Sequence, residues 1–361
     1  MADSALDALV DRVRAARAAK SSLNIQGGGS KAWYGEAAQG AALDVRPLAG
    51  ISSYEPSELV VTVRAGTKLA DLEAALAEKG QCLPFEPPRF APHGTVGGMV
   101  AAGLAGPARA AVDGVRDYVL GAKLLNGRAE LLSFGGTVMK NVAGYDVSRL
   151  LAGAMGTLGL ICEISLKVLP LPVASATLRF ERDEAAAIRQ LNTWGGQPLP
   201  INASAWWDGM LVLRLSGAAA AVQSAVQQLR GEAIEPTQAA AFWTGLRDQS
   251  DEYFVKAAAA LAGGATLWRL SVAATTPPLA LPGEQLIEWG GAQRWVVTSA
   301  PAARLREAAA QAGGHATAFR GQKAEGALAP LSPPLQRIHR EMKTAFDPDR
   351  VFNPGRLYPG I

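Results

Sequence analysis

Leucine and valine recur at three- and four-residue intervals through DSALDALVDRVRAARAAK, with the acidic residues first, which is the pattern of an amphipathic helix and not of a signal peptide. A short apolar run, Ser22 to Ile25, then ends in QGGGSK. Leu43 to Val45 is a strand candidate, and Leu59 to Val63, rich in β-branched residues, is a stronger one. Past Ala65-Gly66 the spacing of Leu69, Leu72 and Leu76 predicts a helix with Thr67 as N-cap and Gly80 at its end. The run PHGTVGGMVAAGLAGP, Pro92 to Pro107, carries small side chains at almost every position and is too apolar for a solvated linker, so its backbone is expected to line something flat or bulky. Tyr118 to Leu125 and Ala129 to Leu132 flank Asn126-Gly127 and read as a hairpin. A helix around Tyr145 to Leu151, a glycine turn and a strand closing at Pro170 and Pro172 complete this part.

From about 173 to 330 the rhythm changes. WWDGMLVLRL turns at Asp208-Gly209 and leads to a helix from Ala218 to Leu229. A second cycle follows: a strand from Thr266 to Ala273, a hairpin in LIEWGGAQRWVVTS turning at Gly290-Gly291, and a helix from Pro301 to Gln311. Two such cycles predict an antiparallel sheet covered by helices on one face. Seven of the eight tryptophans fall here, which fits core packing, with a contact surface for another subunit as the alternative. In the tail, a helix from Leu335 to Phe346 would carry Leu335, Ile338, Met342 and Phe346 on one stripe and end before Pro348. Val351, Phe352, Leu357 and Tyr358 then favour docking of the last residues onto a surface. The expected division is 1–172, 173–330 and 331–361.

The chain has 361 residues, 49% of them hydrophobic and 19% charged, which is ample for a large core and predicts two domains or one domain with a substantial insertion. Its 35 basic and 32 acidic side chains form no basic stripe, which argues against a nucleic-acid partner. Cys82 and Cys162 are the only cysteines and are far apart, so neither a disulfide framework nor a cysteine-ligated cluster is expected, and a reduced, cytoplasmic setting fits. No apolar run approaches the roughly 20 residues of a membrane span.

Three consecutive glycines serve a turn, or a nest of backbone N–H groups facing an anion, to which Ser30 would add a hydroxyl and Lys31 a charge. A Rossmann site needs GxGxxG opening a helix, and a P-loop needs GxxxxGK[ST]; neither is present.

Taken in order, QGGGSK, YEPSELVVTVRAGTKLADLEAALAEKGQ, PHGTVGGMVAAGLAGP, NVAGYDVSRLLAGAMGTLGLICEISLKVLP and FDPDRVFNPGRLYP resemble the FAD-binding oxidoreductases of the vanillyl-alcohol oxidase and p-cresol methylhydroxylase (PCMH) type. Within that family they are most similar to the smaller flavin-binding subunits of bacterial glycolate oxidase, also called glycolate dehydrogenase. The resemblance is dense over residues 20 to 172, clear over the last thirty, and rests on length and rhythm between. It implies an α+β chain: a two-subdomain PCMH-type FAD-binding domain, an antiparallel α+β cap, and a C-terminal segment that returns to the flavin domain. It implies FAD, with Gln26, Gly27, Gly28, Gly29, Ser30 and Lys31 meeting Pro92, His93, Gly94, Thr95, Gly97 and Gly98 around the pyrophosphate. Ala101 and Gly103 would run beside the isoalloxazine, and Gly144, Gly156, Leu160 and Ile161 would line the adenine and ribose end. The implied partners are a larger catalytic FAD subunit, an iron–sulfur subunit and a small 2-hydroxy acid, in the cytoplasm or at the inner membrane through those partners.

Oxidation of a 2-hydroxy acid needs a group that takes the hydroxyl proton. The chain has three histidines, His93, His315 and His339, with no metal-site spacing among them. The HxGDGN-like segment and the later Glu/His cluster of relatives that oxidise 2-hydroxy acids are both missing. The candidates left are His93, which also fits a hydrogen-bonding role in the glycine run, His315, which could face the cleft, and Asn353, the tail residue most able to reach the flavin pocket. Arg320 and Lys323 could bind a carboxylate or be plain surface charge. His339, among Arg337 and Arg340, reads as part of a solvated face.

Overall fold

Residues 3–137 and 146–361 are described by the computed structural model. The N-terminal helix, Ser4–Ala18, is capped by Asp3, whose carboxylate accepts the Leu6 N–H at 3.3 Å. Its buried Leu9, Val13 and Ala16 pack on Leu23, Leu43, Val351 and Phe352. Leu23–Gln26 pairs in parallel with Ala41–Asp44, and on its other side Phe352 bridges to Leu23, whose N–H donates to the Val351 carbonyl at 2.6 Å. The chain's two ends thus form one small subdomain.

The second subdomain is a five-stranded antiparallel sheet in the order Ile51–Glu55, Val60–Arg64, Leu160–Lys167, Val119–Leu125, Leu131–Gly135. Helices Leu69–Ala77 and Val96–Ala102 cover it, burying Leu72, Leu76, Met99 and Val100 against Val61, Val63, Ile164 and Leu166. Thr67 is not the cap of the first helix. Lys68 holds that position without a side-chain bond, and the Thr67 hydroxyl instead accepts the Gly50 N–H at 2.9 Å and donates to the Arg64 carbonyl at 2.7 Å. The hairpin forms with a longer turn than Asn-Gly alone, because Leu125 pairs with Leu131 and the Asn126 side chain organises the five-residue loop by accepting the N–H groups of Arg128 and Glu130 at 2.9 and 3.0 Å. Of the helix expected around Tyr145, that residue lies outside the described ones, and Ser148–Leu151 form a single 3-10 turn.

The cap is one eight-stranded sheet, antiparallel at every pairing. Its order is Glu232–Ile234, Ala174–Glu181, Met210–Gly217, Ile201–Trp207, Gln285–Glu288, Gln293–Thr298, Thr266–Ser271, His315–Arg320. Helices cover both of its faces, not one. Leu178, Leu211 and Leu213 lie under Glu184–Gly195 and Ala219–Leu229, and Trp268 and Leu270 under Ala302–Gln311. On the other face Val212, Leu267, Leu286 and Trp295 lie under Pro236–Asp248 and Glu252–Ala262. The strands alternate two apolar sets, so each face needs a cover. Tyr34, Ala102 and Leu104 join the second set, which seats this sheet on the N-terminal part of the chain. Trp194, Trp243, Trp268 and Trp295 are buried, in keeping with core packing. Among the described residues no helix is long and apolar enough to cross a membrane.

The tail helix, Pro333–Phe346, docks through Met342 and Phe346, whereas Leu335 and Ile338, expected on the same stripe, are 48% and 49% exposed. The buried anchor is Lys343. Its ammonium donates to the carbonyls of Thr157 and Phe352, both at 2.7 Å, and to Asp347 at 2.8 Å. Asp347 in turn accepts the N–H groups of Val351 and Phe352 at 2.9 and 2.8 Å. Burial pushes the Lys343 pKa down, and Asp347 opposes that. Replacing Asp347 by alanine strands the ammonium in a dry site, so Asp347→Ala is predicted to cost about 3–5 kcal/mol in chemical denaturation. A loss below about 1 kcal/mol would show that the pair is not an anchor.

Candidate functional site

Where the strand Leu23–Gln26 ends, its last carbonyl accepts the Val45 N–H at 2.9 Å and the chain leaves through Gly27 to Lys31. Among the described residues, none of the backbone N–H groups from Gly27 to Lys31 has an acceptor in the chain. They border a cavity of about 310 Å³ whose lining also includes Thr95, Gly97, Gly98, Ala101, Gly156, Ile161, Asn353 and Arg356. A row of unpaired N–H groups at a hollow is the chemistry of an anion nest.

The glycines are there because two stretches of backbone touch. A Cβ on Gly28 would lie 1.5 Å from the His93 carbonyl oxygen, and one on Gly27 would lie 2.3 Å from the Thr95 hydroxyl. Gly29 needs its freedom for another reason, a φ of +73°. The second stretch uses most of its own donors internally. Gly94 donates to Ala91 O at 3.3 Å, Val96 to Thr67 O at 2.9 Å, Gly97 to Ala65 O at 2.8 Å, and Gly98 to the Thr95 hydroxyl at 3.2 Å. It forms the N-terminus of the helix Val96–Ala102, with Thr95 as cap, where the sequence suggested only open backbone. The first loop therefore supplies donors, and the second supplies the platform.

Of the residues expected around a flavin, Gln26 to Lys31, Thr95, Gly97, Gly98, Ala101, Gly156 and Ile161 line the cavity. Pro92 and His93 are exposed and outside the lining, Gly94 backs Ser30 from behind, Gly103 is the left-handed end of the glycine helix, and Leu160 is in the core beneath. Gly144 lies outside the described residues. Sequence reasoning missed Tyr34, Met155 and Arg356 as lining residues. Met155 sits in GAMGTLG with a φ of +48°, and only the flanking glycines hinted that this turn approaches anything.

The catalytic candidates fare differently. Asn353 reaches the cavity, but both ends of its amide are committed: Oδ1 accepts the Ile25 N–H at 2.8 Å and Nδ2 donates to the Met155 carbonyl at 2.6 Å. It is a clamp, with no free polar end for proton transfer. His315 is exposed near Arg269 at the end of an edge strand, and burial together with that guanidinium keeps its pKa below the ordinary value. His339 is half-buried, edge-on to Tyr358 at 5.6 Å, and not a freely solvated side chain. Lys323 donates to the carbonyls of Trp33 and Gly35, so it fastens the loop and is not free for a carboxylate. Among the described residues no group of three His, Cys, Asp or Glu is placed to hold a metal ion.

One titratable group escaped the sequence reading. Glu288, buried on the cap face that meets the N-terminal part of the chain, accepts the Trp295 indole N–H at 2.6 Å and the Gln293 amide at 3.0 Å, and burial pushes its pKa up to about 7. A lone acid in the apolar stretch LIEW was the only signal.

A family model for an FAD binding domain matches residues 4–149, and with the anion nest and the cap over it the fold defines a flavoprotein oxidoreductase subunit whose cofactor is FAD. Over 351 residues the chain is 47% identical to the glycolate oxidase subunit GlcE of Escherichia coli (strain K12), with 97% of each covered, and it belongs to that subunit family. It is also 32% identical over 139 residues to the glycolate oxidase subunit GlcD of Bacillus subtilis (strain 168), 38% of this chain and 29% of that protein. Among solved structures, an alkyldihydroxyacetonephosphate synthase shares the fold with a TM-score of 0.66 at 14% identity, covering 96% of this chain and 75% of that one.

Two tests follow from this geometry. Gly28→Val, by driving the loop off the His93 carbonyl, is predicted to abolish flavin retention, read as flavin absorbance per polypeptide; full occupancy would contradict the nest. For Glu288 the folded pKa is raised from 4.5 to about 7, so the folded chain holds the extra proton between those values and stability falls as pH rises through that window. Glu288→Gln removes this dependence. The wild type should lose about 3 kcal/mol relative to the variant between pH 4 and 8 in urea unfolding, and parallel curves would refute the assignment.

Proposed function

We propose that this chain is the FAD-binding subunit of a multi-subunit glycolate dehydrogenase, taking part in oxidation of a small 2-hydroxy acid to the 2-oxo acid. Electrons leave through its flavin to partner subunits: a larger catalytic flavin subunit and an iron–sulfur subunit. The observation that carries this proposal is the row of unpaired N–H groups from Gly27 to Lys31 on the cavity, in a chain similar to GlcE along nearly its whole length. On this reading the amides of Gly27 to Ser30 hold the pyrophosphate with Lys31 beside them. Ala101 leaves room for the ring, and Gly156 and Ile161 flank the adenine and ribose end. Residues 1–172 are the flavin domain, 173–330 the cap and 331–361 the returning segment.

Bound flavin supplies the acceptor for the two electrons taken from the carbinol carbon. The chain's own residues position it and exclude water from it. Among the described residues no histidine lines the cavity, which favours electron relay over independent oxidation. Two cysteines cannot hold a four-cysteine cluster, so an iron–sulfur centre belongs to a partner, and any hold on the membrane is through partners as well. A second reading, in which the chain oxidises a hydroxy acid itself, would need a base that the cavity lining does not offer, since Glu288, the buried acid of the cap, lies outside it.

An absorbance spectrum before and after anaerobic glycolate separates these. The purified chain should be yellow, should keep its oxidised spectrum with glycolate when alone, and should bleach in the reconstituted complex. Bleaching by glycolate without partners would favour the second reading, and a colourless protein that refuses added FAD would end both.

A further inference from the structure

A hollow of about 360 Å³ opens between the edge of the eight-stranded sheet, the helix Pro236–Asp248 and the turn that carries Glu86, and it shares no lining residue with the glycine-loop cavity. The sheet register builds its floor. Ile234, Thr177 and Arg214 are cross-strand partners in one row over three neighbouring strands, and Ser175 lies two residues from Thr177 on the same face. Elsewhere this face buries Val212 and Trp295, so a threonine and an arginine here interrupt an apolar layer. The helix supplies the wall through two stripes at four-residue spacing, Ala239, Trp243 and Arg247 beside Pro236, Ala240 and Thr244. Ala239 and Ala240 are small and leave the space open.

The polar groups on this hollow are short of acceptors. Thr177, 4% exposed, accepts the Trp243 indole N–H at 3.0 Å, and among the described residues its own hydroxyl hydrogen has no acceptor. Arg214 donates through Nε to Asn202 at 2.6 Å and stacks 4.9 Å from the Trp243 ring. Its Nη2 lies 2.7 Å from Glu86 Oε1, yet this buried nitrogen makes no aligned hydrogen bond. The other Glu86 oxygen is taken by the Ala108 N–H at 2.9 Å. Arg247 packs beside the same turn, because a Cβ on Gly106 would lie 2.4 Å from the Glu86 carbonyl oxygen and 3.1 Å from the Arg247 side chain. It spends Nε and Nη2 on Asp248, which stands outside the hollow. Two guanidiniums against one carboxylate leave the lining with an excess of positive charge. A desolvated donor without an acceptor is costly, and an incoming carboxylate supplies acceptors in the geometry that a guanidinium matches.

We propose that this hollow is a second ligand site, separate from the glycine-loop cavity, for a small carboxylate with a compact apolar body: the carboxylate meets Arg214, Arg247 and the Thr177 hydroxyl, and the body lies against Trp243 and Ile234. Its volume falls at the lower end of the roughly 300–1,000 Å³ of small-molecule sites, which suits a body of about one ring. The site does not depend on the flavin reading, since none of its residues borders the cavity assigned to the cofactor.

Benzoate is the probe, titrated by calorimetry into the purified full-length chain in yellow and in flavin-free form. Ala240→Phe fills the hollow from an exposed helix position and touches none of the ion pairs, so it should weaken benzoate binding by at least about tenfold with flavin content and thermal midpoint unchanged. Arg214→Lys keeps the charge but loses the fork and should weaken binding by at least about tenfold as well. Benzyl alcohol, the same ring without the carboxylate, should bind at least about tenfold more weakly than benzoate to the wild type. Benzoate that does not bind, that binds Ala240→Phe as it binds the wild type, or that binds no better than the alcohol would overturn the site. A colourless protein that binds benzoate and loses it with Ala240→Phe would uphold this site while ending the flavin reading, and a yellow protein indifferent to benzoate would do the reverse.

Discussion

Everything at the site depends on backbone lying against backbone. Gly27 and Gly28 rest on the Thr95 hydroxyl and the His93 carbonyl at distances that leave no room for a Cβ, and among the described residues the N–H groups from Gly27 to Lys31 have no acceptor in the chain. Each unpaired donor costs on the order of 1–3 kcal/mol if it is also kept from water. Such a loop is tolerable when an anion completes it, so on the proposed reading cofactor binding and local stability are coupled, with the diphosphate supplying the acceptors that the loop lacks.

The chain's last residues hold that arrangement in place. Lys343 and Asp347 fix the turn that carries Val351 and Phe352 into the small sheet, where Phe352 lies beside Leu23. Asn353 then ties Ile25, at the entrance to the glycine loop, to Met155 on the opposite wall, and Arg356 holds the carbonyl of Ala32 at 2.7 Å. A segment more than three hundred residues distant in sequence thus sets the position of the donor loop. The cap, by contrast, is held by its own apolar layers on both faces.

Much of this was legible in the sequence where local chemistry is strong. The amphipathic N-terminal helix, the Asp208-Gly209 hairpin and the glycine loops all announce themselves through periodicity or turn residues. Long-range geometry was not legible. Thr67 has the right side chain for a helix cap, but a strand carbonyl and the Gly50 N–H take its hydroxyl. The cap strands alternate two apolar sets, a pattern that looks like one buried face until the partner helices are known. His93 is in the glycine run, yet it is the residue's carbonyl that touches the loop while its ring faces solvent. Ile234, Thr177 and Arg214 come from three strands, so only the sheet register brings them into one row.

The central claim is that the Gly27–Lys31 amides are the cofactor's donors and that the amides of Gly94, Val96, Gly97 and Gly98 are already bonded. Hydrogen exchange resolved to single amides, with and without FAD, tests it most directly. The account predicts fast exchange from Gly27 to Lys31 in the flavin-free chain and strong slowing on adding FAD, with Gly97 slow in both states. Equal exchange of the first loop in the two states, or protection confined to the second, would contradict it.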